Sequence, residues 1–457
     1  FFNLCSPTHA EVETSKATSE YILLGPNSYY LFRDYNVPLK EILKPETIKE
    51  FRKDNNDYPN FGIKNQELWI KVDLDLSQSV NPIIEAATPL VSKIRFYQYC
   101  DGNEISYIQS GMDFPNERLP SHPNYQFPVI PFRGECQFFL AFQSNDSLTI
   151  PLFYWEKTAL QKFDIIRHLL FGLFFGLMIS LALYNFLLFL SIQNRAYLWY
   201  VLYILTFTIF YLCVYGYFRF LFGSVIENSI SYWVMATSIF TAIFALLFGN
   251  QFLQIKEIHP KLSKLIYMLV LLGVLLCIPT KFLTIDRSIL ISNIYPGLAI
   301  TALVAAIFVS LRSGYKPAIY FAIAWGTLLI SVTLFIAENL GLIAGCALTH
   351  YSQIVGASLE AVLLSLALGF RVNDLRNKEA EAREKILAKE REAFELERVY
   401  AKSMQRFVPE QFLKNLDKEN ILQVKKGDAK SLNMAVLFTD IRGFTSLSET
   451  VGTSETF

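Results

Sequence analysis

Apolar and polar positions follow three different patterns along the chain. Between residues 20 and 158 they alternate in short stretches separated by turn residues; over 67–76, Leu68, Ile70, Val72, Leu74 and Leu76 fall on one face of an extended segment. The segments 93–99 and 137–143 alternate in the same way, and Asp101-Gly102, Pro115-Asn116 and Asn145-Asp146 supply turns. Helical periodicity is confined to about 39–53. Short alternating strands with little helix predict an antiparallel, jelly-roll-like β-sandwich over 20–163.

From 164 to 370 the alternation gives way to long apolar runs, at 169–190, 196–214, 232–252, 265–278, 288–311, 317–337 and 351–370. Crossing about 30 Å of hydrocarbon at 1.5 Å per residue takes roughly 20 residues, so the pattern predicts a seven-helix transmembrane bundle. The fourth run is short, but Lys264 and Lys281 flank it and can snorkel to the interfaces. If the N-terminus lies outside, the inner loops hold Arg195, Lys256, Lys261, Lys264, Arg312 and Lys316, against Arg219, Lys281 and Arg287 in the outer ones. That excess predicts an N-out, C-in protein of the cell (inner) membrane.

Polar residues inside the runs are candidates for function. Glu360 stands mid-way along the seventh run, where it is either an intramembrane functional group or a protonated carboxyl bonded to a neighbouring helix. Glu338 and Asn339 end the sixth run, and Glu338 is expected to reach the interface. His168, His350, Tyr184 and Asn185 read as interface or packing groups. In the outer domain Trp69, Tyr97, Tyr99 and Phe139 either stack on a sugar-like ligand or fill the core.

Composition sharpens this picture in places. The 457 residues are 52% hydrophobic and only 18% charged, enough chain for two or three units. Lys+Arg and Asp+Glu are 41 each, and without a basic face or zinc-finger spacing a nucleic-acid partner is excluded. Six scattered cysteines make neither a disulfide framework nor a metal cluster; Cys100 and Cys136 share the outer domain and could pair, if their Cα atoms approach closely enough. Residues 1–19 read as the remnant of a secretory signal ending in Thr8-His9-Ala10, or as a disordered terminus.

An outer jelly-roll-like domain followed by seven helices and a C-terminal module resembles the bacterial seven-transmembrane receptors with diverse intracellular signalling modules. The resemblance spans about 20–370 and implies an outer domain that senses a ligand, expected to be carbohydrate-like.

After Phe370 the chain turns charged and helix-favouring, with no Gly or Pro until Pro409. With Val372 at position a, the a series is Val372, Glu379, Ile386, Ala393 and Tyr400, and the d series is Leu375, Ala382, Lys389, Leu396 and Ser403. This predicts a parallel dimeric coiled-coil helix over 371–406, against the alternative of a single solvated helix. Further on, the apolar segment 431–440 is expected to form a strand ending in Asp440. A Gly-containing turn and a helix N-terminus follow at once. A carboxylate at such a place can hold Mg²⁺ while the turn's N–H groups face a triphosphate.

The run Leu-Phe-Thr-Asp-Ile-Arg-Gly-Phe-Thr-Ser-Leu-Ser-Glu over 437–449 closely resembles the opening of class III adenylate/guanylate cyclase domains. So do Phe407-Val408-Pro409, Phe412-Leu413 and Gly427-Asp428 before it. The resemblance implies that 407–457 begins an α+β, ferredoxin-like cyclase domain. Asp440 would be its first metal-binding carboxylate, Ile441 would offer a backbone carbonyl to the second metal, and Gly443, Phe444 and Thr445 would line the phosphate loop. It further implies a homodimer joined through 371–406 and the cyclase domain. Each active site would hold two Mg²⁺ or Mn²⁺ ions and convert ATP or GTP to the cyclic nucleotide and pyrophosphate. The other catalytic groups are expected beyond Phe457, so the residues given would be inactive alone. The rival reading is a non-enzymatic seven-helix sensor or transporter whose C-terminal helix only mediates interaction.

Overall fold

Ten strands form among the described residues, and all of them pair antiparallel. The computed structural model describes the chain apart from residues 1–20, 54–58, 63, 77–80, 115–120, 133, 145–147, 224–228, 278–284, 340–342, 344–348, 350, 406–407, 420 and 452–457. Strands β1 (Tyr21–Leu23), β5 (Pro82–Ala86), β8 (Tyr125–Pro128) and β10 (Leu152–Glu156) form a four-stranded sheet in the order β1-β10-β5-β8. The others are β2 (Ser28–Arg33), β3 (Arg52–Lys53), β4 (Glu67–Asp75), β6 (Lys93–Cys100), β7 (Asn103–Ser110) and β9 (Glu135–Gln143). They form a six-stranded sheet in the order β3-β2-β4-β9-β6-β7.

One face of each sheet makes the sandwich core, where Leu68, Ile70, Val72, Phe96, Phe138 and Leu140 meet Ile84, Phe127 and Leu152. The period of two decides which residues enter, and the other set on β4 and β6 then faces away. That second face is also covered: Trp69, Tyr97 and Phe139 pack with Leu39 and Ile42 from the short helix Leu39–Ile42. These three aromatics are therefore core residues and offer no sugar platform; Tyr99 packs partly buried against the same cluster. A charged pair sits on this covered face. Arg95 Nη2 donates to Glu67 Oε2, and the guanidinium lies 5.0 Å from the Trp69 ring centre. Burial pushes the Glu67 carboxyl above its ordinary range despite the pull of Arg95.

Cys100 and Cys136 are directly opposite each other on β6 and β9, with Cα atoms 4.4 Å apart, and are bonded as a disulfide. The turn Asp101-Gly102 closes the β6–β7 hairpin as expected. The turns at Pro115-Asn116 and Asn145-Asp146, the terminal segment 1–19, Lys281, His350 and Phe407 lie outside the described residues.

Among the described residues, seven helices are long and apolar enough to cross a membrane. They are α1 (Lys157–Ile192), α2 (Arg195–Val214), α3 (Ile230–Phe252), α4 (Pro260–Cys277), α5 (Ile285–Arg312), α6 (Pro317–Asn339) and α7 (Ser352–Gln405). Asn194 caps α2, accepting from the N–H of Ala196. Helix α1 begins 12 residues before its apolar run, and at 36 residues it extends about 54 Å, well beyond the hydrocarbon thickness. Its first turns lie under the four-stranded sheet, where Ala159 and Leu160 pack against Trp155, Ile83 and Phe153.

Helix α7 runs unbroken through 371–405, which bears out the helix; from Lys378 to Tyr400 every residue is exposed, Ile386 and Leu396 included. Residues Asn373–Phe457 form a second unit. Within it the expected strand is not formed: 431–440 has no regular secondary structure, and Leu437 and Phe438 are 85% and 91% exposed. A strand is held only by a neighbour that takes its N–H and C=O groups. Among the described residues none lies alongside. The predicted helix after the turn is present as Phe444–Val451.

The disulfide closes a loop across a sequence separation of 36 residues, so removing it should cost on the order of 3–4 kcal/mol of outer-domain stability. Replacing both Cys100 and Cys136 by Ser should lower the thermal midpoint. Alkylation of the denatured wild type without reductant should leave these two sulfurs unmodified; full modification there would show that the bond is absent.

Candidate functional site

The outer domain and the helices meet around one carboxylate. Glu85 lies on β5 between Ile84 and Ala86, which enter the sandwich core, so alternation turns Glu85 to the opposite face, toward α1. It is fully buried and takes four hydrogen bonds. Arg167 donates Nη1 to Oε1 at 2.6 Å and Nη2 to Oε2 at 3.1 Å. Trp155 Nε1 donates to Oε2 at 2.9 Å, and Asn124 Nδ2 to Oε1 at 2.7 Å. An ionised carboxylate accepts about four bonds, so its capacity is filled.

The loop before β8 is fastened on its other side as well. Arg219, just beyond α2, donates Nη2 to the carbonyls of His122 (3.1 Å) and Pro123 (3.0 Å), and its guanidinium lies 4.2 Å from the Tyr125 ring centre. Gly216 makes this approach possible: its φ is +75°, and a Cβ there would come within 2.2 Å of the Pro123 oxygen. A third group of contacts joins Met112 and Leu90 of the sandwich to Cys213, Phe218 and Ile230. Beside Arg167, His122 Nε2 lies 3.2 Å from Asp164 Oδ1, and His168 Nδ1 lies 3.0 Å from the Tyr217 hydroxyl.

These contacts surround a cavity of about 630 Å³. The sandwich contributes Ala87, Thr88, Leu90 and Asn124 to its wall. The helices and their connections contribute Arg167, Tyr217, Glu338 and Tyr351. Both the size and the mostly apolar lining with a few polar groups are those of small-molecule pockets. Glu338 is buried rather than reaching the interface, because the outer domain covers the end of α6; its backbone oxygen accepts a bond from Asn60 Nδ2 at 2.7 Å.

Inside the bundle Glu360 is fully buried and accepts from Tyr203 OH at 2.9 Å, while its Oε2 has no partner among the described residues. Tyr203 belongs to a row along α2. Tyr197 donates to the carbonyl of Leu368 (3.3 Å), Tyr200 to that of Ala361 and Tyr211 to that of Gln353 (3.5 Å). From α1, Asn185 Nδ2 donates to Ser365 Oγ at 3.0 Å, whereas Tyr184 next to it is exposed on the outside of the bundle. Helix α7 is thus held by polar bonds over more than four turns.

In the second unit Asp440 is exposed, and its Oδ1 accepts from the N–H of Ile441 at 2.8 Å. Gly443 has φ +76°, and Phe444 and Thr445 open the helix Phe444–Val451. A left-handed glycine thus precedes a helix start, while 431–440 forms no strand, so among the described residues Asp440 stands at no sheet end.

Sequence reasoning placed Glu360 mid-way along the seventh helix and read Asn185 as an interface or packing group, and of these alternatives Asn185 packs. It missed Glu85, Arg167, Asp164 and His122. Two signals pointed that way: a lone Glu in the apolar strand 82–86, and charged residues at 164 and 167 just ahead of an apolar run.

Two family models match the chain. Residues 28–156 match 7TMR-DISM extracellular 2, and residues 167–371 match 7TM diverse intracellular signalling. No curated protein matches it.

Removing one member of a buried ion pair strands the other, at a cost on the order of 3–5 kcal/mol. Glu85→Gln or Arg167→Met alone should therefore lower the thermal midpoint of the purified protein sharply. The double variant Glu85→Leu/Arg167→Met should recover much of the loss. A single variant as stable as wild type would show that the pair does not hold the domains together.

Proposed function

We propose that this receptor-like membrane sensor, which carries the extracellular and seven-transmembrane domains of the 7TM diverse intracellular signalling family, couples a small extracytoplasmic ligand to cyclic nucleotide synthesis. The observation that carries the receptor half of this reading is the cavity between sandwich and helices, walled by both. A ligand there can act only through a difference in affinity between two arrangements of the parts it touches. Trp69, Tyr97 and Phe139 are buried in the sandwich, which favours the cavity as the place for the ligand, carbohydrate-like or otherwise.

The output half rests on the run 437–449. Asp440 would hold Mg²⁺ or Mn²⁺, with the Ile441 carbonyl beside it, and the turn at Gly443, Phe444 and Thr445 would receive the phosphates of ATP or GTP. The ribose 3′-oxygen then attacks the α-phosphorus and pyrophosphate leaves, with two metal ions neutralising the charge. On this reading 371–457 is cytoplasmic. Two chains would pair along 371–405, burying Ile386 and Leu396, whose apolar surfaces a single helix leaves in water.

Two experiments test these steps. In protein that carries a whole cyclase domain, Asp440→Ala should abolish Mg²⁺- or Mn²⁺-dependent cyclic AMP or cyclic GMP formation without loss of membrane insertion. Undiminished synthesis would assign the metal elsewhere. Ile386→Cys should cross-link readily between two chains and Glu384→Cys poorly; equal cross-linking would mean that no defined seam exists.

A further inference from the structure

At the joint between the outer domain and α1, three metal-ligating side chains converge from two separate parts of the fold. Asp164 and His168 are four residues apart on α1, which puts them on the same helix face one turn apart. His122 comes from the loop before β8. One ligand atom from each lies within 4.8 Å of the other two, and His122 Nε2 is 3.2 Å from Asp164 Oδ1. Ligand atoms on a tetrahedral ion with bonds of about 2.0–2.1 Å stand roughly 3.4 Å apart. One side of the triangle already has that length. The other sides, which are no longer than 4.8 Å, would have to shorten by at most about 1.4 Å.

With Nε2 as the ligating nitrogen, each histidine has an oxygen partner for Nδ1. His122 Nδ1 lies 3.3 Å from the carbonyl oxygen of Asn124, and His168 Nδ1 lies 3.0 Å from the Tyr217 hydroxyl. A metal-bound imidazole donates its second N–H to just such an acceptor, which fixes its tautomer and orientation. For His122 that tautomer exchanges the present contact from the Asn124 N–H, at 3.1 Å, for a bond to the Asn124 carbonyl.

The nearest opposing charge is Arg167, with Nη1 3.1 Å from Asp164 Oδ1 and 3.4 Å from His122 Nε2. Both of its terminal nitrogens are already bonded to the Glu85 carboxylate. The charge it presents to a cation is therefore largely balanced. Counted formally, Glu85, Arg167 and Asp164 together carry one net negative charge.

We propose that His122, Asp164 and His168 form a binding site for a first-row divalent transition ion of the Zn²⁺ class. Two imidazoles and one carboxylate suit zinc and its neighbours and are a poor set for Mg²⁺ or Ca²⁺. Three protein ligands leave a position for water or for a donor atom of a bound molecule. The ion ties the loop before β8 to the first transmembrane helix, across the joint that Glu85 and Arg167 already bridge. It makes the docking of the outer domain depend on extracytoplasmic metal, whatever the nature of the cytoplasmic output.

The test uses tag-free, chelator-stripped whole protein in detergent or nanodiscs, titrated with Co²⁺ and then with Zn²⁺. One equivalent of Co²⁺ should give visible d–d absorption, and Zn²⁺ should displace it. His122→Gln, His168→Gln and Asp164→Asn keep hydrogen-bonding side chains in place and remove ligation. Each should weaken binding by more than the roughly 10–100-fold that loss of an outer-shell partner costs, while elution volume stays near wild type in all three and the thermal midpoint without metal stays near wild type in the two histidine variants. Zn²⁺ should raise the thermal midpoint of the wild type and not of the variants. A wild type that takes up no metal, or three variants that bind as the wild type does, would overturn the proposal.

Discussion

A carboxylate with no access to water is tolerable only if its charge and its lone pairs are answered inside the protein, and Glu85 is answered from two directions. Trp155 and Asn124 belong to the sandwich, while Arg167 belongs to the helix that enters the membrane. Satisfying Glu85 therefore fixes the outer domain on the bundle. Two domains joined by a flexible linker would default to independent motion. Here β10 passes into α1 without a gap, since Glu156 ends one and Lys157 begins the other. The strand, the ion pair and the apolar packing of Ala159 and Leu160 leave the first helix little freedom relative to the sheet. The remaining contacts, from Arg219 to the His122–Pro123 carbonyls and from Met112 to the α2–α3 ends, repeat the same pairing at other points of the rim.

Within lipid the constraint is different. Apolar side chains gain nothing from leaving hydrocarbon for a protein interior, so helices associate through close packing and through polar groups that find one another. The α2 tyrosines follow this logic. Positions 197, 200, 203 and 211 lie on one face of the helix, and each hydroxyl reaches α7. Three of the four bonds go to carbonyls that already accept within α7, so they add attraction without requiring a particular side chain opposite. The fourth goes to Glu360, a group too costly to bury alone. The row fixes the depth of α7 relative to α2.

How much of this could be read from the chain depended on the range of the information needed. Alternation at Leu68, Ile70 and Val72 and the apolar runs are local, and the sandwich and the seven helices followed from them. The same alternation gave Trp69, Tyr97 and Phe139 a face but not a fate, because what covers that face, the helix Leu39–Ile42, arrives from elsewhere in the chain. The Cys100–Cys136 bond needed the β6–β9 register. Glu85, His122 and Arg167 are separated by tens of residues and acquire meaning only where the sandwich meets α1. The expected strand over 431–440 had the right local pattern and still failed to form, since pairing is not a property of one segment. Leu437 and Phe438 remain in water as a result.

The cavity and the tyrosine row meet at the start of α7, which is where a molecule bound as proposed would act on the helix. Tyr351 and Gln353 line the cavity, and the carbonyl of Gln353 is also the acceptor for Tyr211. A ligand that displaced this first turn would act on the outermost bond of the row, which at 3.5 Å is also the longest of those to carbonyls. The inner bonds, at Ala361 and Leu368, lie two to four turns further along the same helix. Hydroxyl-to-carbonyl bonds can be exchanged for equivalent ones when a helix slides by one residue or one turn, whereas Tyr203 with Glu360 cannot, because only one carboxyl is present. The Glu360 contact, together with the side-chain bond from Asn185 to Ser365, thus marks the register that α7 occupies, which the hydroxyl-to-carbonyl bonds alone would not.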